Sequence, residues 1–398
     1  MKNGVMPLID DTYIASFLKT LLETPSPTGY TDAVTRVCCA ELERLGVSYE
    51  ITRRGAIRAR LQGGRRQPAR ALIAHVDTLG AQVKFLKENG RMELVPIGHW
   101  SSRFAEGARC TVFTAGHGAF RGTILPLKAS GHTFNDEVDT QPVAWSQVEL
   151  RPDIVAENAE DLAVTGFNIG DFVAIDPQPE FLDNGFVVSR HLDDKAGVAA
   201  MFGAIKALVE GEVQLAVDTY FLISVTEEVG HGASSVLTHD IASMVTIDNG
   251  TTAPGQNSRE FGVTIAMADQ TGPFDYHLTQ KLLRLCREEE IDHQRDIFRY
   301  YRSDSAAAIE SGADVRTALV TFGIDASHGY ERIHMHALHS VARLIHAYAA
   351  SRVEIRRDAE PLTDSLKGFT GLPMDPANEE SWDGRDEAPE RPSEGGQN

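Results

Sequence analysis

Positive charge is scarce in this 398-residue chain: 38 Lys and Arg stand against 57 Asp and Glu, a formal net charge of −19. A field of that sign repels phosphate backbones and anionic headgroups, so neither nucleic acid nor an anionic membrane surface is expected as a partner. Cysteine is nearly absent. The four thiols, Cys38, Cys39, Cys110 and Cys286, lack the paired spacing of a disulfide framework or a zinc knuckle, which excludes a fold stapled by either. Long apolar runs are missing too, and none approaches the roughly 20 residues that cross a bilayer. Residues 1–25 hold no apolar segment flanked by basic residues and no small-residue cleavage site. A reducing cytoplasm is therefore the expected location. What remains is an ordinary globular composition, 42% apolar and 24% charged, in a chain longer than one domain usually needs. One large domain with an insertion, or two domains, is expected.

The order of elements favours an insertion. Residues 11–45 carry apolar positions at helical spacing in two blocks, broken by Thr24-Pro25-Ser26-Pro27-Thr28-Gly29, where two prolines and a glycine forbid a continuous helix. Ala71-Leu72-Ile73-Ala74 reads as a strand covered on both faces and delivers His75-Val76-Asp77 at its end. From 81 to 186 the pattern changes to short alternating segments separated by Gly, Asn, Asp and Pro turns, as in a small antiparallel β domain. Strand and helix then alternate again through strands at 186–189, 219–225, 243–247 and 318–322 and helices at 194–209, 276–290 and 335–350. Such alternation predicts an α/β fold, a mostly parallel sheet flanked by helices, with a small β-rich domain inserted. The division is 1–80 and 187–356 for the α/β domain, 81–186 for the insertion, and 357–398 for a polar, acidic tail with too few aliphatics to pack.

Chemistry concentrates where strands end. Glu227 and Glu228 follow the apolar run Tyr220-Phe221-Leu222-Ile223-Ser224-Val225 and precede Val229-Gly230. Neighbouring side chains on an extended segment face opposite ways, so one Glu can bind a metal while the other moves protons. His75, Asp193, Glu228, Asp248 and His334 all fall at strand ends or in the turns that follow, where ligands gather in open α/β sheets. Two imidazoles and three carboxylates form the mixed donor set that suits two zinc or similar divalent ions. Singly, each has an ordinary reading. Asp193-Asp194-Lys195 could be a capped helix start, Asp248-Asn249-Gly250 a turn, and His334 one bystander among neighbours His328, His336 and His339. The order of the series carries the argument, not any member of it.

That order resembles the co-catalytic dinuclear zinc aminopeptidases, and among them metallopeptidase family forty-two, the TET and glutamyl-aminopeptidase type. The resemblance runs from residue 21 to about 346 through Pro25-Ser26-Pro27-Thr28-Gly29-Tyr30, Ala74-His75-Val76-Asp77, Gly170-Asp171, Leu192-Asp193-Asp194-Lys195-Ala196-Gly197, Thr226-Glu227-Glu228-Val229-Gly230 and Tyr330-Glu331-Arg332-Ile333-His334. It implies a zinc-exopeptidase type of fold, with 81–186 as a dimerisation domain that builds dimers into dodecameric shells. It also implies two divalent ions, zinc first with cobalt or manganese as alternatives. Asp193 would bridge them, His75 and Asp248 would complete one, and Glu228 and His334 the other. Glu227 would be the general base and Asp77 the carboxylate that orients the His75 ring. The implied substrate is a short peptide, cleaved at its N-terminal amide bond.

The departures concern substrate. Tyr301-Arg302-Ser303-Asp304-Ser305 stands where the family usually has Gly-Gly-Thr-Asp-Ala, and His231 follows the Glu pair at an unusual place. Arg302, Asp304 and His231 are accordingly candidate substrate residues. Ser327-His328-Gly329-Tyr330-Glu331-Arg332 resembles a divergent branch associated with an N-acetylated glutaminylglutamine amide osmolyte. Two alternatives follow: a metal-dependent deacylase or amidohydrolase acting on a blocked dipeptide-like molecule, and a non-catalytic assembly protein that kept only the shell.

Overall fold

The computed structural model describes residues 9–237 and 241–359; the tail expected from 357 onward lies almost wholly outside them. Its centre is a mixed nine-stranded sheet. Along one path the strands run Ser48–Ile51, Ile57–Leu61, Thr219–Ser224, Ala69–His75, Ile241–Thr251, Arg316–Ile324, Val263–Asp269 and Gly272–Pro273, with His293–Ile297 pairing beside Val263–Asp269. The four central strands are mutually parallel. Every residue of Ala69–His75 is buried, as expected of a strand covered on both faces. Register sets the site: Ser224 lies beside His75, and Asp248 beside Thr321.

Helix Leu192–Glu210 packs on Ala69–His75 and Ile241–Thr251 and against helices Asp11–Leu22 and Met335–Ala350. Its crossing with Asp11–Leu22 is close enough to require glycine, because a Cβ at Gly203 would stand 2.6 Å from Ile14 Cγ1. The predicted break between the first two helices is present, with Asp32–Arg44 following the Pro-rich loop. Lys195 fixes that loop: its buried Nζ donates to the carbonyls of Leu21 (2.8 Å) and Thr24 (2.7 Å), and burial lowers its pKa to about 7.

Strands Gly80–Leu86, Met92–Ile97, Arg109–Thr114, Gly118–Pro126, Val148–Pro152 and Phe172–Ile175 close into an antiparallel barrel. It has its own apolar interior, including Val83, Met92, Leu94, Val112, Ile124 and Leu150. The architecture is thus the expected one, a mostly parallel α/β sheet with an inserted β domain. Among the described residues no helix is long and apolar enough to cross a membrane.

Candidate metal centre

His75 ends a central strand, and its ring is held before any ligand is considered. Its Nδ1 stands 3.0 Å from the carbonyl oxygen of Asp77, which can only accept, so Nδ1 carries a proton and Nε2 is the atom turned toward the carboxylates. Nε2 lies 3.2 Å from Asp193 Oδ1. A second imidazole is held in the same manner. His328, in a left-handed conformation (φ 65°), directs Nδ1 at the carbonyl of His99 (2.9 Å) and Nε2 at Asp193 Oδ2 (3.3 Å). One carboxylate therefore receives an imidazole on each of its oxygens. Around it the potential ligand atoms form two groups, His75 with Asp194 and Asp248, and Asp193 with Glu228 and His328, each with its atoms within 4.8 Å of one another.

The backbone that presents these groups is tied down residue by residue. Asp193 and Asp194 open helix Leu192–Glu210 with non-helical dihedrals, so their carboxylates turn toward the strand ends. Glu331 is buried and accepts the N–H of Asp193 (3.2 Å) on one oxygen and that of His328 (2.9 Å) on the other. Asn249 Nδ2 donates to Asp193 Oδ2 at 2.7 Å. Asp77 accepts the N–H of Glu227 (3.1 Å) on Oδ1, and that of Glu228 (3.3 Å) and the Thr28 hydroxyl (2.7 Å) on Oδ2. Its side chain thus grips the turn that carries the Glu pair, while its main-chain carbonyl orients His75.

The two glutamates are not equivalent. Glu228 is 4% exposed and lies 3.8 Å from His328 Nε2, whereas Glu227 is 15% exposed and lies 3.8 Å from His75 Nε2. Glu227 is the one that retains contact with water.

Burial of so many acids leaves an electrostatic deficit. Burial, then repulsion from Asp193, raises Asp248 to about 7; burial raises Glu228 and Glu331 to about 8, and Glu227 and Asp194 well above the ordinary carboxylate range. Only Asp193 is held low, because His328 and His75 outweigh its burial. Conversely His328 is raised to about 11 against its burial, chiefly by Asp193 and Glu228. Asp194 Oδ1 and Asn249 Oδ1 are buried with no partner among the described residues. Buried oxygens that repel one another and lack donors fit cations, and carboxylate with imidazole is the donor chemistry of divalent metals such as zinc.

A model of the M42 glutamyl aminopeptidase family matches residues 55–344. The chain belongs to this family. Membership makes it one of a family of peptide-hydrolysing enzymes. The protein named Putative aminopeptidase YhfE from Bacillus subtilis (strain 168) is 37% identical over 334 residues, 84% of this chain and 96% of its own. Aminopeptidase APDkam598 from the archaeon Desulfurococcus kamchatkensis shares the fold with a TM-score of 0.77 at 19% identity, over 86% of this chain and 96% of that one. TET1 peptidase of Pyrococcus horikoshii, described as assembling into a tetrahedron or a large octahedral shell, gives 0.74 at 23% identity over 84% and 99%.

Within this M42 chain the structure brings together His75, Asp193, Glu227, Glu228 and Asp248, with Asp77 beneath them, and leaves His334 outside. The His334 ring contacts Asn184 O through Nε2 (3.0 Å), accepts the His336 N–H on Nδ1, and packs on Phe186 and Phe261. It caps the last helix. His328 stands in the group of potential ligands with Asp193 and Glu228 instead. Strand Glu331–His334 intervenes between the end of Arg316–Ile324 and His334, whereas His328 lies in the turn directly after that strand end. The strand-end rule, applied to the nearer histidine, would have found it.

None of the three candidate substrate residues is among the two groups of potential ligands. Arg302 pairs with Glu310 on the surface (2.6 Å). Asp304 is buried with both oxygens engaged, by the Ser224 hydroxyl (2.6 Å) and the Ala233 N–H (2.7 Å). The exposed His231 accepts from Arg54 through Nδ1 (3.0 Å). Two contributors, Glu331 and Asn249, were given no role from the sequence, and Tyr301 was noticed only as a departure. The Tyr301 phenol is pushed well above its usual pKa by burial and then by Asp248, Asp193 and Glu227.

Proposed function

We propose that this chain is a dinuclear metallo-aminopeptidase that removes the N-terminal residue of short peptides. Family membership supports the activity, and one observation carries the dinuclear reading: Asp193 stands between His75 Nε2 and His328 Nε2, one oxygen toward each. His75 and Asp248, with Asp194 beside them, would hold one ion, zinc being the first candidate and cobalt or manganese the alternatives. Glu228 and His328 would hold the other, and Asp193 both. Such a pair supplies hydroxide from water near neutral pH and polarises the scissile carbonyl.

Glu227 takes the proton of the attacking water on its carboxylate and returns it to the leaving amine; as the more exposed member of the pair it can exchange with solvent between turnovers. Asp77 keeps it in place through the turn N–H groups. A small crevice opens beside Asp193, Glu228 and His328, lined by Leu79, Trp100, Ile175 and Arg190. The excess of buried carboxylates favours a free α-ammonium over an acylated nitrogen.

Residues 81–186 are proposed as the unit through which copies associate into dimers and larger shells in the cytoplasm. Val155, Val164 and Ile169 expose apolar surface there, which association would bury.

The test pairs metal analysis with a panel of aminoacyl anilides, free and N-acetylated. About two ions per chain and cleavage of the free substrates are expected. Preference for acetylated substrates would instead select the deacylase reading, and metal-loaded protein inert toward both sets would overturn catalysis. Glu227→Gln should keep its metal and lose ~10²–10⁴-fold in kcat. Metal loss in that variant would exchange the roles of Glu227 and Glu228.

A further inference from the structure

Tyr301 reaches the centre from outside the strand ends that supply its other members. Its ring packs against Phe298, centroids 5.6 Å apart and planes tilted by 58°, beside a small apolar cluster of Ala266, Phe274 and Leu319. Its main-chain carbonyl accepts the Gln270 N–H at 3.0 Å. Both ends of the residue are thus fixed, and the hydroxyl is carried to the Asp248, Asp193 and Glu227 carboxylates. There it is shielded from solvent beside Asp248, and no well-formed hydrogen bond to a described residue satisfies it. A buried hydroxyl without a well-formed hydrogen bond is costly. A carbonyl oxygen brought in beside Asp248 and Glu227 would give it a further acceptor.

We propose that Tyr301 is a catalytic residue that donates a hydrogen bond from its hydroxyl to the scissile carbonyl oxygen as that oxygen gains negative charge. The inference rests on the aminopeptidase reading above. No bond is made or broken at the phenol, which keeps its proton; the proton that moves is the water's, and Glu227 carries it. Donation fits the surroundings, since the neighbouring carboxylates accept only. A fixed donor aimed at developing charge needs no reorganisation when the carbonyl becomes tetrahedral, so its effect falls on the chemical step rather than on binding.

Tyr301→Phe removes one oxygen and leaves the ring packing intact. Metal content and KM for a free aminoacyl anilide should stay at wild-type values, while kcat falls by ~10²-fold, as loss of an oxyanion donor does. Melting temperature should stay near the wild-type value, because the ring packing is kept. Inorganic phosphate, a tetrahedral oxyanion, supplies a readout without turnover: calorimetry on the metal-loaded proteins should show it binding ~10-fold more weakly to the variant. Unchanged kcat and unchanged phosphate affinity overturn the proposal. So does loss of metal alongside the fall in kcat, which would mean that the hydroxyl braces Asp248. If the metal-loaded wild type cleaves no free peptide substrate, the aminopeptidase reading fails instead, and the phosphate comparison alone decides whether Tyr301 is a donor at this centre.

Discussion

His328 and His334 are close in sequence and differ in what their rings meet, so single substitutions separate them. His328→Ala removes the imidazole nearest Asp193 Oδ2 and Glu228, and is expected to release about one of two ions and abolish hydrolysis. His334→Ala should retain full metal content. It should cost only about 1 kcal/mol through loss of the cap on helix Met335–Ala350, read as a shifted denaturation midpoint. The reverse pattern in metal analysis would return His334 to the site. The contrast also marks what the sequence could convey. His75, Asp193, Glu228 and Asp248 were legible because each adjoins a strand or helix whose periodicity is plain. His328 was not, because it sits in a left-handed turn before a short strand that periodicity does not announce. Tyr301 and Asp304 were noticed as a departure and a candidate but without the partners that fix them, since a sequence shows that a side chain is unusual before it shows where it points.

The turn after strand Thr219–Ser224 has few regular hydrogen bonds of its own, yet it positions both members of the Glu pair. Two carboxylates hold it, Asp77 at the N–H groups of Glu227 and Glu228, and Asp304 at Ser224 and Ala233. The grip of Asp304 leaves no room: a Cβ at Gly232 would stand 2.3 Å from its Oδ1. Asp304→Ala is expected to destabilise the protein by about 2–4 kcal/mol, because it strips acceptors from a hydroxyl and an amide in a buried position. Stability in urea checks the magnitude, and an unchanged midpoint would show that the turn is held by other contacts. Asp77→Ala attacks the same turn from the metal side and should weaken metal affinity by ~10–100-fold, since the groups that orient ligands contribute on that scale. Wild-type affinity in a competition assay with a chelator would show that Asp77 is not needed to hold the ligands. Neither contact was visible beforehand, because each joins residues far apart in sequence through a turn whose conformation no local pattern dictates.

At the scale of the whole molecule, the barrel and the metal centre are mechanically joined. The barrel enters and leaves the α/β domain through adjacent strands, with Ala81 paired to Val173 and Gln82 to Phe172, so residues 83–171 can be replaced by a two-residue turn without stretching the chain. That excision removes more than the proposed association surface. It takes away the His99 carbonyl that fixes His328 Nδ1, and Trp100 from the crevice wall. Two effects should follow together. The particle should fall to a smaller species by light scattering, as the proposed contact surface is gone. His328, no longer held in one tautomer and orientation, should bind its ion more weakly, by the ~10–100-fold that lost orienting groups cost, while the ion held by His75 and Asp248 is little affected because its supports lie within the α/β domain. Restoring only the segment around His99 would be expected to recover metal affinity without recovering particle mass. A truncated chain that keeps wild-type mass would refute the barrel as the association unit, and one that keeps both ions at wild-type affinity would show that His328 is oriented from within the α/β domain alone.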